Sequence, residues 1–377
     1  MKKLFQLFFL VILSVSFLTE FASEAAPHSS SLACFNFYQI KLKKHHRVWR
    51  DSGTTAIGDD DEPKYKPKGR VVEIDRNVEA SNQCQTYECY LFAAINFINV
   101  LNRIRFGDHS ELISEPYLVA HKFLEHIKDG LRYGPEDPRV IHDLEGGFAY
   151  EAFFLSRTVG LIPKTSWKPT VPFPDWNMAN IYRVLKKKVP EHHEKLKKLA
   201  KSYGWDAQRV KQGEQDSFDE LKNVILKFSG PLPTEVNFNG KSYTPLTWEE
   251  HFGIPRLSTL DIINKDGNFL PDNYPDVLRK TMTDLGGHFR VIDGNFNSII
   301  MNLKKYIDQE MPVIVDLNWK REGHSMLVVG YELDDDNNIV RFKVMNSWGR
   351  VFANNGFAWY TVDDLWKNIT GTYHFSK

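Results

Sequence analysis

The sequence predicts an α+β fold, with helices in the first half of the chain and antiparallel strands in the last third. Three observations carry that reading: an apolar helical pattern from Cys89, a charged helical stretch after it, and strand-like periodicity beyond about residue 313. Leu91, Phe92, Ile95, Phe97, Ile98, Leu101 and Ile104 leave almost no polar face, so this first helix is expected to be buried on nearly all sides. A second is expected from its cap at Ser114 to His126, with Pro116 in the first turn, where a missing N–H is tolerated. Gly146 and Gly147 precede a third, Ala149 to Val159, closed by Gly160. Residues 176 to about 230 are rich in Lys and Glu, with Leu185, Leu196, Leu199 and Val210 at helical intervals and Pro190 as a break. They are expected to form a surface helical insertion rather than core. Strands follow at Val313 to Val315, Ser325 to Leu333, Ile339 to Met345 and Gly356 to Tyr360, with a turn from Asp334 to Asn338.

Composition narrows the functional classes. Of the 377 residues 42% are hydrophobic, too many for a disordered chain, and 23 glycines and 18 prolines are too few for a collagenous one. The 48 basic and 48 acidic side chains cancel, which argues against a nucleic-acid partner. No cofactor is expected and no metal: His45-His46 and His192-His193 lack a carboxylate at ligand spacing and read as solvated faces.

The N-terminus reads as an export signal over residues 1–25. Lys2 and Lys3 precede an apolar run from Leu4 to Leu18, and the small residues Ser23, Ala25 and Ala26 follow, with cleavage expected after Ala25. The mature chain is then expected to be secreted, periplasmic or extracellular, without a membrane partner after the signal is removed, and its oligomeric state is left open. Residues 26–70 are expected to be a pro-region or linker, since Ser52 to Glu62 is rich in Gly and Asp and Pro63 to Lys68 reads as an exposed connector. The rest divides into a helical lobe at 71–165, the charged insertion at 166–265 and a β lobe at 266–377.

Three local sequences carry chemistry. In Gln83-Cys84-Gln85-Thr86-Tyr87-Glu88-Cys89, the last residue opens the buried helix, where unsatisfied amides favour a thiolate. His324 enters one strand, and Asn346-Ser347-Trp348-Gly349 leaves the next. Thiol, imidazole and amide are the groups that a cysteine peptidase uses as nucleophile, proton carrier and orienter. Gln83 and the Cys89 N–H are candidates for holding an oxyanion.

With these motifs the sequence resembles the papain family of cysteine peptidases, its bleomycin hydrolase/aminopeptidase C branch most closely. Gln83 lies six residues before Cys89, as the family's oxyanion glutamine does, and Cys89-Tyr90-x-Phe92-Ala93 is similar to its nucleophile motif. Ile113-Ser114-Glu115-Pro116-Tyr117-Leu118 resembles its second helix, and Asp75-Arg76 sits where the mature domain opens. Gly146 and Gly147 resemble the pair whose backbone binds extended substrate, and His324 with Asn346-Ser347-Trp348-Gly349 resembles the remaining motifs, in which the tryptophan shields the His–Asn contact. The resemblance implies a papain-like two-lobed fold, a helical left lobe and an antiparallel β right lobe, with a helical insertion and a peptide or protein as substrate.

The sequence also departs from that pattern. Tyr87 replaces a small residue and Glu88 sets a carboxylate beside the nucleophile, to be screened if its side chain points to solvent. The separation of Cys89 from His324 is 235 residues, and the charged insertion accounts for the excess over papain-type spacing. The chain stops at Lys377 without the C-terminal arm of bleomycin hydrolases, so an open cleft and endopeptidase action are expected. Of the three cysteines, Cys34 and Cys84 are a candidate disulfide that would hold residues 26–50 as an inhibitory segment. The rival readings are an inactive papain-like binding module, motivated by Tyr87-Glu88, and a transglutaminase-like thiol acyltransferase.

Overall fold

A computed structural model describes residues 65–376, apart from 75–77, 85, 138, 141, 143, 254–258, 266–287, 320–321 and 351. The expected export signal at 1–25, Cys34, the Ser52–Glu62 stretch and Asp75-Arg76 lie outside the described residues. No described helix is long and apolar enough to cross a membrane.

The helical half is built on α1 (Cys89–Phe106), α2 (Glu115–Tyr133) and α3 (Ala149–Val159). Helix α1 is buried from Cys89 to Asn102, as its apolar pattern demands, and packs against the sheet on one side and α3 on the other. Gly160 ends α3 at φ 81°, and a Cβ there would stand 2.1 Å from the Pro245 carbonyl carbon. Only glycine tolerates both demands.

Helices α4 (Met178–Tyr203) and α5 (Gln208–Ser229) form the charged stretch. Its lysines and glutamates face solvent, but Ile181, Tyr182, Leu185, Val189, Leu196, Leu221 and Ile225 join the same apolar core as α1 to α3. The segment is therefore an amphipathic layer over α2 and not a surface appendage. Pro190 does not break it: α4 runs through the proline, since the missing N–H removes one bond while the packed apolar face holds the turns on both sides. Nor are His192 and His193 solvated. They are buried, with His192 Nδ1 3.0 Å from Ser217 Oγ and His193 Nδ1 donating to the Leu131 carbonyl at 3.0 Å.

The hairpin β2 (Val236–Phe238) and β3 (Lys241–Tyr243) and helix α6 (Pro245–Phe252) lead into an eight-stranded sheet. The hairpin is a sheet of its own, and the eight strands are β1 (Arg70–Glu73), β4 (Thr259–Lys265), β5 (His288–Gly294), β6 (Val313–Trp319), β7 (Glu322–Leu333), β8 (Ile339–Met345), β9 (Phe357–Thr361) and β10 (Ile369–Ser376). The order is β5-β4-β10-β6-β7-β8-β9, with β1 on β7, and every pairing is antiparallel except β4 with β5. Side chains alternate between two cores. Ile314, Leu327 and Val329 face the helices, whereas Val313, Val315, Met326 and Val328 face α7 (Phe296–Asp308) and α8 (Val362–Asn368).

The Pro63 to Lys68 connector is docked at its C-terminal end. Glu332 accepts from the Lys68 and Gly69 N–H groups at 2.7 and 2.8 Å and from Tyr65 Oη at 2.9 Å. The chain thus enters the sheet at a fixed register, Arg70 opposite Leu333.

Candidate active site

Helix α1 starts beside the sheet. Its first main-chain bond runs from the Phe92 N–H to the Glu88 carbonyl at 3.0 Å. The N-cap residue, Glu88, supplies no side-chain cap, so the first-turn amides are not consumed locally. The Cys89 sulfur, a free thiol, accepts from the main-chain N–H groups of Tyr90 and Ser325. Ser325 follows His324 on β7, so this contact sets the imidazole-bearing strand against the thiol.

His324 is buried, and its Nε2 lies 2.9 Å from Asn346 Oδ1. An amide oxygen only accepts, so Nε2 carries the proton and Nδ1 keeps the lone pair. The Trp348 ring lies 5.1 Å from that of His324 and is held in turn by Phe352. Main-chain bonds fix the loop itself: Gln83 N–H to Ser347 O at 2.8 Å, Gly349 N–H to Ser81 O at 2.9 Å and Asn346 N–H to Gly356 O at 2.9 Å. The segment before the thiol and the loop after β8 are therefore stitched together.

Gln83 is buried in that seam. Its Oε1 accepts from Ser347 Oγ and its Nε2 donates to the Thr86 carbonyl at 3.0 Å, which fixes the plane of the amide. Gly146 and Gly147 are half-buried, at φ 83° and 143°. A Cβ on Gly147 would lie 2.7 Å from the Tyr90 ring, so the glycine lets this segment come up against the residue after Cys89.

Electrostatics change one expectation. The helix terminus was to favour a thiolate, and the Tyr90 N–H does reach the sulfur. Burial outweighs it and, with the charges of Asp316 and Glu88, pushes the Cys89 thiol up to about 12. Burial likewise takes His324 down to about 4, against the opposing pull of Asn346. At rest the uncharged thiol and imidazole are favoured.

Glu88 does not point to solvent. Its side chain is 0% exposed, as is that of Lys122, whose Nζ sits 2.8 Å from Oε1 and 2.9 Å from Oε2. Tyr182 Oη donates to Oε1 at 2.9 Å. The carboxylate beside Cys89 is thus paired internally, by one residue of α2 and one of α4.

Sequence reasoning missed Asp316. It stands on β6 opposite Ser325, accepting from Ser325 Oγ and, at 2.6 Å, from Tyr373 Oη. Burial pushes it up to about 6. The signal was present as an acidic residue inside the apolar run Val313 to Leu317.

The chain matches the Peptidase_C39 like family over residues 236–373, a stretch that holds His324 and Asn346 but not Cys89 or Gln83. A search among curated proteins found no match. Among solved structures it is similar to PepW from Lactobacillus rhamnosis, at 15% identity and TM-score 0.61, covering 93% of this chain and 92% of that one. Xylellain, a cysteine protease from Xylella fastidiosa, aligns at 13% identity and TM-score 0.38 over 85% of this chain and 93% of its own. Digestive procathepsin L 3 of Tenebrio molitor larval midgut aligns at 14% and 0.39, over 84% and 72%. Those two scores are too low to bear on this chain. The fold is α+β and papain-like, as the similarity to PepW over nearly the whole chain indicates.

Proposed function

We propose that the protein is a secreted cysteine peptidase that cleaves within peptide chains. One observation carries the reading: a buried imidazole held at 2.9 Å by an amide oxygen, on the residue next to the one whose N–H meets a helix-terminal thiol. As the Cys89 sulfur bonds to the scissile carbonyl carbon, its proton passes to His324 Nδ1, so charge moves within the pair and not to solvent. The oxyanion is received by the Cys89 N–H and the Gln83 amide. The imidazolium then protonates the departing amine as the C–N bond breaks. Water, deprotonated by the same nitrogen, attacks the acyl carbon and releases the acid and the thiol. Asn346 holds the ring throughout, Trp348 covers that contact, and Gly146 and Gly147 offer main chain to an extended substrate.

The helical insertion is what supports a likeness to the bleomycin hydrolase/aminopeptidase C branch. Pairing of Cys34 with Cys84 would leave the Cys89 thiol unpaired and tie residues 26–50 to the nucleophile loop as a pro-segment. Pairing with Lys122 meets the Glu88 part of what motivated the inactive-module reading.

Active-site labelling with an epoxide inhibitor is expected to modify the wild-type chain and not Cys89→Ala. Hydrolysis of a blocked fluorogenic peptide should accompany it. Labelling that survives in Cys89→Ala would sink the proposal, and cleavage restricted to free-amino substrates would overturn the endopeptidase part.

A further inference from the structure

The buried ion pair behind the nucleophile does more than neutralise Glu88. The Lys122 ammonium has three donors and all are used: two on the Glu88 carboxylate and one on the Leu144 carbonyl at 2.9 Å. Glu88 immediately precedes Cys89, and Leu144 lies two residues before Gly146. One fully buried cation therefore joins the nucleophile loop to the segment bearing the glycine pair. Tyr182 completes the arrangement from α4. Its hydroxyl donates to Glu88 Oε1 at 2.9 Å and receives the Tyr87 N–H at 3.3 Å, while its ring lies 5.6 Å from that of Tyr87. The two residues before the nucleophile are thus held by α4, one through its side chain and the other through its main chain.

This geometry explains why helix α1 has no side-chain cap. The Glu88 carboxylate is drawn toward Lys122 and Tyr182, so it does not fold back on the first-turn amides. Those amides and the direction of the Cys89 N–H are the features an oxyanion would meet.

We propose that Lys122 and Tyr182 are positioning residues: together they fix Glu88, Tyr87 and Leu144, and so set the nucleophile loop against the Gly146–Gly147 segment. The inference rests on the peptidase reading for its kinetic arm, but not for its chemical one. It also gives the charged insertion a role, since helix α4 braces the loop that bears the thiol.

The test uses the full chain and two variants. Tyr182→Phe keeps the ring packing and the ion pair and removes only the hydroxyl. The double variant Glu88→Gln/Lys122→Met replaces the charged pair with neutral groups of similar size and releases Leu144. For Tyr182→Phe, iodoacetamide is expected to alkylate Cys89 at a rate changed by about fivefold or more. Its kcat on the blocked peptide should fall about tenfold, with KM within about twofold. For the double variant kcat should fall and KM should rise, because the glycine segment is freed as well. A Tyr182→Phe chain whose alkylation rate and kcat both match wild type overturns the proposal, whatever its melting temperature. So does a double variant with unchanged KM. If the wild type cleaves no peptide, the peptidase reading fails, and the alkylation rates still decide for or against the positioning role.

Discussion

Two buried carboxylates flank Cys89, and the protein treats them differently. Glu88, on the helical side, meets an ammonium and a phenol and forms a closed ion pair with no exposed surface. Asp316, on the sheet side, meets two hydroxyls and no cation among the described residues, and burial pushes its carboxyl up to about 6. Depth is similar for the two, since Asp316 is 6% exposed and Glu88 0%. The partners differ in kind: a cation lies against one carboxylate, whereas hydroxyls satisfy the lone pairs of the other without offsetting a charge.

The largest test of that contrast removes the cation. Lys122→Met should cost about 3–5 kcal/mol in urea unfolding, because Glu88 loses its counter-ion in the core. Adding Glu88→Gln should recover much of the loss, whereas a double variant no more stable than Lys122→Met alone would break the comparison.

A smaller effect lies in acid. Burial lowers His126 to about 4 and His142 to about 3, with the Lys122 charge adding to it, so both bind protons more readily in the unfolded chain. Their contribution is present above about 6.5 and is lost as the pH falls toward 4. Asp316, raised to about 6, has the opposite sign: its contribution is full below about 3.9 and is lost as the pH rises through 6. Melting temperatures between pH 4 and 7 should therefore separate the two sides. In His142→Gln the acid decline flattens, and Asp316→Asn gains on wild type as the pH rises.

The smallest effect is chemical. The Asp316 charge opposes the Cys89 thiolate, so Asp316→Asn should speed iodoacetamide labelling at pH 8 by up to about tenfold. At pH 5, where the wild-type carboxyl is largely protonated, the two rates should converge. A constant ratio across that range would show that the carboxylate charge is not what restrains the thiol.

How far the site could be read from sequence follows from the range of its interactions. Gln83, Cys89, His324, Asn346 and Trp348 are legible because each sits in a short motif, and helix α3 was delimited by local glycines. The fate of Glu88 was not legible, since its partners lie 34 and 94 residues away and Lys122 reads as one more helical lysine. The charged stretch after residue 176 misled for the same reason: its composition reports the outer face, and only the packed inner face shows that it shares the core. Pro190 was read through local propensity, which tertiary packing overrode.

Gln83 and Ser347 bond to each other across 264 positions of sequence, and the seam between their segments carries the candidate site. For a chain emerging from a ribosome this is a timing device. The thiol is synthesised early, but its imidazole comes 235 residues later and the bracing loop later still. Contacts of that separation close late in folding. On the peptidase reading, a half-made chain has a cysteine and no means of using it, so the maker is spared until synthesis is nearly complete.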